Sequence, residues 1–148
     1  MIKLYGRGES RSFRGLWALA ESGLEYSYVT VQHGDANSAY YETINSQAKV
    51  PTLVDGDLVL TESAAIVNYV AMRATAAELM PSDIALRARY DEICYFVMTD
   101  LEQPLWSIGK HRSKLPESLR QPGMLKTAKF EFEKSQRALH HHPSRSAS

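Results

Sequence analysis

A hairpin followed at once by a helix start constrains the fold of this chain more than any other feature. Val50–Val54 and Leu58–Leu60 are rich in apolar and β-branched residues, and they predict two strands. The Asp55-Gly56 pair between them is a strong hairpin signal, because such residues accept the backbone conformation of a tight turn. Thr61 suits a helix cap, and we predict a helix from Glu62 to about Arg73. Its helical spacing predicts an inward face formed by Ala65, Ile66, Tyr69 and Val70.

The residues before this hairpin predict a β-α-β unit. Ile2–Tyr5 has the composition of a short strand, and Ser10 suits the N-cap of a helix that Gly23 ends. Tyr26–Val31 is rich in β-branched and aromatic residues and predicts the second strand. A short or irregular helix is expected at Tyr40–Ile44. Apolar residues at helical spacing predict the buried face of the first helix: Phe13, Leu16, Trp17 and Ala20.

The pattern changes near residue 78. Residues 1–77 carry the order βαβαββα, which predicts an α/β domain, whereas residues 78–83 form a linker to purely helical periodicity. Ile84 to about Gly109 predicts a long helix with a kink at Pro104, because proline removes a backbone donor and crowds the preceding turn. Leu125–Leu139 predicts the last helix. We therefore expect an all-α second domain at residues 84–139 and a disordered tail at residues 140–148.

Composition argues against several classes of function. The chain has 148 residues, and 17 basic residues balance 17 acidic ones, so its net charge does not favour nucleic acid as a partner. Because no apolar run reaches the length of a membrane span and no charged leader opens the chain, we expect no membrane partner and a cytoplasmic location. The single cysteine, Cys94, excludes an internal disulfide and is expected to be buried and inert. His140–His142 lack carboxylate or thiolate neighbours, so we expect no metal.

The hairpin and the helix start carry the strongest resemblance to a known family. Lys49-Val50-Pro51-Thr52-Leu53, Asp55-Gly56 and Glu62-Ser63-Ala64-Ala65-Ile66 resemble the thioredoxin-like domain of cytosolic glutathione transferases, bacterial serine-type members in particular. The resemblance implies a cis bond before Pro51, which lets the main chain of Val50 pair with the cysteinyl backbone of glutathione. It also implies that Glu62 and Ser63 receive the γ-glutamyl end, whose carboxylate would meet the free amides of the helix.

A second resemblance lies at the head of the first helix. Ser10-Arg11-Ser12-Phe13-Arg14 is similar to the active-site loop of serine-type transferases, and it implies catalytic roles for Ser10, Arg11 and Ser12. A hydroxyl here would donate to the glutathione sulfur and lower the pKa of a thiol whose free value is about 8.5. Ser10 matches the family position best and Ser12 is the alternative, while a plain N-cap role for Ser10 stays open. The loop has no cysteine, which disfavours thiol–disulfide chemistry, and Tyr5 resembles a tyrosine-type helper only loosely.

The same resemblance implies weaker assignments. Lys49 would lie near the glycyl carboxylate of glutathione, with His33 and Gln47 as lesser candidates, although a solvent-facing lysine is an equal alternative. Trp106 would line the pocket of the electrophile. Candidates for the same wall or the end of its helix are Tyr95, Met98, His111 and Arg112, although apolar residues at helical spacing are more often core.

The likeness ends near Leu139, so the C-terminal helical domain is expected to be incomplete or truncated. The resemblance implies a glutathione transferase that conjugates the glutathione thiolate to a small electrophile in detoxification. Glutathione would be the co-substrate, no metal would be needed, and a homodimer is expected. Two alternatives stay open: a non-catalytic glutathione-fold module that binds a ligand or partner, and a glutathione-dependent peroxidase or reductase.

Overall fold

A four-stranded sheet organises the first part of the chain. The computed structural model describes residues 1–32 and 39–141, and for Ala39, His140 and His141 it describes the backbone alone. Within these residues the elements follow the predicted order βαβαββα. Their bounds are β1 Ile2–Gly6, α1 Ser12–Ser22, β2 Tyr26–Thr30, α2 Ala39–Ile44, β3 Thr52–Asp55, β4 Leu58–Leu60 and α3 Ser63–Arg73.

The strands lie in the order β2-β1-β3-β4. β1 and β2 are parallel, as a β-α-β connection requires, whereas β3 is antiparallel to both β1 and β4. Tyr5 lies opposite Thr52 in the register of β1 and β3. Gly56, with a φ of 60°, turns the hairpin between β3 and β4, and Gly23, with a φ of 68°, ends α1, as predicted at both positions.

Alternation along β1 divides the core into two clusters on opposite faces of the sheet. One cluster joins the strands to α1 and α3 and contains Ile2, Leu4, Leu19, Leu53, Ile66 and Val70. The other contains Tyr5, Val31 and Tyr41, with Val50 partly buried against it. Since Tyr41 belongs to α2, this short helix covers the second face beside the start of β3.

The predicted inward face of α1 is wrong at three of its four residues, and only Leu16 packs against the core. Phe13 and Trp17 are 65% and 61% exposed, and Ala20 is exposed as well. The helix instead buries a face of small residues and one leucine, formed by Ser12, Gly15, Leu19 and Ser22. A Cβ added at Gly15 would lie 3.1 Å from Cγ2 of Ile66 on α3, so small residues allow a helix approach that bulky ones would prevent. The spacing of apolar residues alone did not indicate that the face with Ser12, Gly15 and Ser22 would be the buried one.

The inward face of α3 is largely as predicted. Ile66 and Val70 are fully buried and Tyr69 is half-buried, but Ala65 is exposed. The helix begins at Ser63, one residue later than expected, with Glu62 as its N-cap residue. Tyr69 donates a hydrogen bond from its hydroxyl to Oδ2 of Asp55 at 2.7 Å, which links the helix to the hairpin.

The structure divides into two compact units, Met1–Arg87 and Ala88–Ser148. The longer helical segments after α3 are α4 Ile84–Phe96, a π-helical segment Val97–Glu102, α5 Gln103–Gly109, a second π-helical segment Lys110–Lys114 and α6 Pro122–His141. Short 3₁₀ turns lie at Thr75–Ala77 and Glu117–Leu119. The single helix predicted from Ile84 to about Gly109 is instead interrupted by the first π-helical segment, and Pro104, where a kink was predicted, lies in the first turn of α5. Proline cannot donate to the carbonyl one turn earlier, and a wider turn accommodates the break. Cys94 on α4 is half-buried rather than buried.

The last helix is longer than predicted. α6 begins at Pro122, which suits the first position of a helix, and it extends to His141, so the expected tail at residues 140–148 begins too early. Residues 142–148, and with them the rest of that prediction, lie outside the described residues. Among the helices that the structure describes, none combines the length and apolarity needed to span a bilayer.

Candidate functional site

Three segments lie at one edge of the first unit. Because β1 and β3 are antiparallel with Tyr5 opposite Thr52, the residues that follow β1 and those that precede β3 lie at the same edge of the sheet. These are the loop of residues 7–11 and the turn of residues 48–51. The start of α3 joins them, since Nη1 of Arg14 on α1 donates to Oγ of Ser63 at 3.2 Å.

The loop after β1 is closed by hydrogen bonds between two serines and the backbone of Arg7. Oγ of Ser10 donates to the carbonyl of Arg7 at 2.6 Å and lies 2.9 Å from Oγ of Ser12, so its single hydrogen serves one of these two acceptors at a time. The amide of Arg7 donates to Oγ of Ser12 at 3.2 Å. The amide of Ser12 donates to Oγ of Ser10, also at 3.2 Å. These bonds hold both hydroxyls close to the start of α1.

Ser10 and Ser12 differ in how far their side chains are exposed to solvent. The side chain of Ser12 has no exposed area, whereas Ser10 is partly exposed. Arg11, not Ser10, is the residue directly before α1, and the helix begins at Ser12. Ser10 nevertheless makes a cap-like contact, because its Oγ accepts the amide of Ser12. Ser10 is therefore not the N-cap residue predicted from the sequence, although it carries the more exposed of the two hydroxyls.

The peptide bond between Val50 and Pro51 is cis, as the resemblance implies. Pro51 is buried, Val50 is half-buried, and Lys49 is exposed. The carbonyl oxygen of Lys49 points inward, since it accepts hydrogen bonds from the hydroxyl of Tyr41 at 2.7 Å and from Nδ2 of Asn45 at 2.9 Å. The turn before β3 is thus held in place by Tyr41 of α2 and by Asn45, the residue after that helix.

The start of α3 presents a buried hydroxyl beside a cation. Ser63 is 2% exposed and Glu62 is exposed. The carbonyl of Glu62 accepts the amide of Ile66 at 3.0 Å, which closes the first helical turn. The hydrogen bond from the guanidinium of Arg14 to Ser63 was not predicted from the sequence. The two residues lie on different helices, and no local sequence pattern indicates that they pair. The combination of helix N-terminus and guanidinium favours an anion.

Residues with positive φ occur within two of the three segments and directly before the third. Glu9, Ala48 and Glu62 have φ values of 53°, 51° and 65°, and they precede Ser10, Lys49 and Ser63. Such a conformation is unfavourable for residues with a Cβ, typically by about 1–2 kcal/mol. Strained backbone of this kind concentrates at functional sites when the surrounding structure holds it in place. Among the described residues other than glycine, Glu78 also has a positive φ, of 49°, outside the three segments, but the grouping of the other three supports a functional role for this edge.

Tyr5 is unsuited to the tyrosine-type role that its position loosely suggested. It is 7% exposed and packs against Tyr41, with ring centroids 6.1 Å apart. Burial, followed by a hydrogen bond with Tyr40, raises the pKa of the Tyr5 phenol above its ordinary value of 10.0. A buried, protonated phenol in the core is a packing residue.

Other candidates are not brought into this group of contacts. Gln47 is exposed, and its amide donates to Oδ1 of Asn45 at 3.0 Å. Trp106 lies on α5 in the second unit and is 39% exposed, and its assignment to an electrophile pocket stays a prediction. His111 accepts the amide of Gln121 through Nδ1 at 3.2 Å. His33 lies outside the described residues.

Within the part of the chain that the structure describes, no three histidine, cysteine or acidic side chains come together as a metal site. The side chains of His140, His141 and His142 lie outside the described set.

Comparison with known proteins agrees with the fold. The model of the glutathione S-transferase N-terminal domain family matches residues 1–72. Glutathione S-transferase Z2 of Arabidopsis thaliana is 35% identical over 104 residues, which are 68% of this chain and 47% of the relative. Human glutathione S-transferase theta-2 is 43% identical over 70 residues, which are 47% of this chain and 29% of the relative. The chain thus spans about half or less of these curated relatives.

A solved structure extends the match into the helical region. The theta class glutathione S-transferase from Xanthomonas axonopodis pv. citri, with glutathione bound, is 30% identical and has a TM-score of 0.75. The match covers 93% of this chain and 68% of that chain. The fold is a thioredoxin-like α/β unit followed by helices of the glutathione transferase type. The chain belongs to the glutathione transferase family.

Proposed function

We propose that the first unit binds glutathione at the edge formed by the three segments and that the chain conjugates the glutathione thiolate to a small electrophile. The observation that carries this proposal is the carbonyl oxygen of Lys49, directly before Val50, which Tyr41 and Asn45 anchor inward. A main chain held in this way at a sheet edge suits pairing with the backbone of a short peptide. The Xanthomonas relative, solved with glutathione bound, supports the same ligand.

The γ-glutamyl end would lie at the start of α3. Its carboxylate would accept the free amides at this helix N-terminus and a hydrogen bond from Ser63. Glu62, which is exposed, would pair with the ammonium group. Arg14 adds a positive charge beside Ser63, and hydrogen bonds to charged groups are worth about 1.5–3 kcal/mol each. Lys49, exposed beside Val50, would meet the glycyl carboxylate.

The thiol would lie near the start of α1. Ser10 carries the more exposed hydroxyl, and donation to the sulfur requires its hydrogen to leave the carbonyl of Arg7. Arg11 and the positive end of the helix would favour the thiolate as well. Each unit by which the thiol pKa falls corresponds to about 1.4 kcal/mol. Ser12, being fully buried, would support the loop instead of contacting the sulfur.

The chemistry balances without a further reactant. The thiol proton passes to solvent, the thiolate sulfur forms a carbon–sulfur bond with the electrophile, and a leaving group such as chloride departs with its electron pair. The absence of a cysteine from the loop of residues 7–11 disfavours disulfide exchange at this edge. A homodimer and a cytoplasmic location stay predictions.

The test combines binding with turnover. We expect retention of the purified chain on immobilised glutathione, elution by free glutathione, and conjugation of an activated aryl chloride above the uncatalysed rate. Val50→Pro removes the amide that would pair with the ligand and is expected to abolish retention. Retention without turnover selects the non-catalytic module, and absence of binding by the folded chain refutes the proposal.

A further inference from the structure

A buried cluster of polar side chains lies beneath the turn that precedes β3. Tyr41, Asn45 and Thr52 are 2%, 4% and 0% exposed, and they come from the face of α2, the residue after it and the start of β3. The hydroxyl of Tyr41 lies 2.9 Å from Oγ1 of Thr52, and Nδ2 of Asn45 donates to the same oxygen at 3.0 Å. The carbonyl oxygen of Lys49 is their common acceptor.

One arrangement of hydrogens satisfies the cluster. The two hydrogens of the Asn45 amide serve Lys49 and Thr52, the hydroxyl of Thr52 donates to that of Tyr41, and Tyr41 donates to Lys49. Oδ1 of Asn45 accepts the amide of Gln47 at 3.0 Å, which fixes which way the side-chain amide is turned. Closed networks of this kind are rigid, because each group depends on its neighbours.

The cluster determines the direction of the Val50 amide. Lys49–Val50 is not among the cis bonds of the described chain, so its carbonyl and the Val50 N–H point in opposite directions. With the carbonyl held inward by Tyr41 and Asn45, the N–H points away from the interior. Pro51 follows directly and has no amide hydrogen, so the N–H of Val50 is the last main-chain donor of the turn before β3.

We propose that Tyr41, Asn45 and Thr52 are positioning residues that set the direction of the Val50 amide for pairing with the cysteinyl backbone of glutathione. The inference rests on the proposed function. None of the three contacts the ligand, and their effect passes through the carbonyl of Lys49. Their loss therefore weakens glutathione binding and leaves the acidity of the bound thiol unchanged, because the thiol is served by the separate segment at Ser10.

The chain offers a matched control for the hydroxyl of Tyr41. The phenols of Tyr41 and Tyr69 each donate one hydrogen bond of 2.7 Å. The acceptor of Tyr41 is the carbonyl of Lys49, whereas the acceptor of Tyr69 is Asp55 in the hairpin. Tyr41→Phe and Tyr69→Phe remove the same atom from the same kind of bond. We expect the Kd of glutathione, measured by calorimetry, to rise about tenfold in Tyr41→Phe, or about 1.4 kcal/mol, and to stay within twofold in Tyr69→Phe.

A second pair of variants guards against loss of folding. Thr52→Ser keeps a hydroxyl and is expected to bind like the parent chain, whereas Thr52→Val removes it at nearly constant volume and is expected to lose affinity about tenfold. The pKa of the bound thiol, followed by thiolate absorbance, should be the same in all these variants. Circular dichroism and urea denaturation establish that each variant is folded.

The outcomes separate the two proposals. If the parent chain binds glutathione but Tyr41→Phe and Thr52→Val bind equally well, the positioning role is wrong and the proposed function stands. Equal weakening in Tyr69→Phe and Tyr41→Phe would also overturn the positioning role, since it would reflect general destabilisation. If the folded parent chain does not bind glutathione, the proposed function fails and the inference fails with it.

Discussion

Nη1 of Arg14 lies 3.2 Å from Oγ of Ser63, and this contact ties the first turn of α1 to the first residue of α3. The two helices also pack closely at Gly15 and Ile66, so the contact is supported by the core next to it. In the proposed complex the same guanidinium lies beside the γ-glutamyl carboxylate. Arg14 is therefore both a link between helices and the largest positive group at the start of α3.

Replacement of Arg14 should weaken ligand binding. We expect Arg14→Gln to raise the Kd of glutathione about tenfold, because the charged hydrogen bond to the carboxylate is lost while a polar side chain remains. Titration calorimetry measures the change. The control is Arg73→Gln, which removes a surface contact of 3.4 Å to Asp55 and should leave the Kd within twofold. Equal affinities in the Arg14 variant and the parent chain would remove Arg14 from the site.

Substitution of Ser10 is expected to affect catalysis, whereas substitution of Ser12 is expected to affect stability. We expect Ser10→Ala to raise the pKa of the bound thiol by about one unit and to lower conjugation at least tenfold near neutral pH. Ser12→Ala should lower the free energy of unfolding by about 0.5–1.5 kcal/mol, because the part-buried amide of Arg7 loses its acceptor. Thiolate absorbance and urea denaturation measure these effects. An unchanged thiol pKa in Ser10→Ala would contradict the catalytic assignment.

Gly6 should tolerate no side chain at the end of β1. A Cβ there would lie 2.7 Å from Cβ of Ser12 and 2.7 Å from the hydroxyl oxygen of Tyr28, so either the loop or the strand must move. We expect Gly6→Ala to destabilise the chain by about 1–3 kcal/mol, a typical result of overpacking. Gly8→Ala in the same loop is the control, since no atom lies within 4 Å of its added Cβ. Thermal and urea denaturation compare the two, and equal stability would show that the loop adapts.

Tyr5 should affect alkaline stability and not catalysis. Its pKa is raised in the folded chain, chiefly by burial, so its contribution to stability is present below the ordinary value of 10.0 and is lost as the pH rises through the raised value. We expect Tyr5→Phe to lose less stability than the parent chain between pH 9 and about pH 11. Conjugation near neutral pH should stay within threefold. A large loss of activity would restore Tyr5 to the mechanism.

The fold was largely predictable because its signals are local. The Asp55-Gly56 turn, the stop at Gly23 and the strand patterns each depend on neighbouring residues. The turn and the stop appear where expected, whereas β3 begins at Thr52, two residues later than predicted. The buried face of α1 was not predictable, because that helix is apolar around most of its surface. Packing at Gly15 selects the face, and this depends on a partner helix far away in the sequence.

The site was predictable only where it depends on a motif. The family resemblance pointed to the cis bond before Pro51, and the hairpin led directly to Ser63. Arg14 and Tyr41 were not assigned roles, because each acts through a partner that no sequence spacing identifies. The polar pattern of α2 gave no sign that its buried hydroxyl supports the neighbouring turn.

Glu9, Ala48 and Glu62 occupy positions that require a positive φ but that place little restriction on the chemistry of the side chain. A library randomised at Glu9 and Ala48 and selected on immobilised glutathione should return glycine, asparagine and aspartate ahead of valine and isoleucine. Sequences can therefore diverge at these positions while the course of the main chain persists.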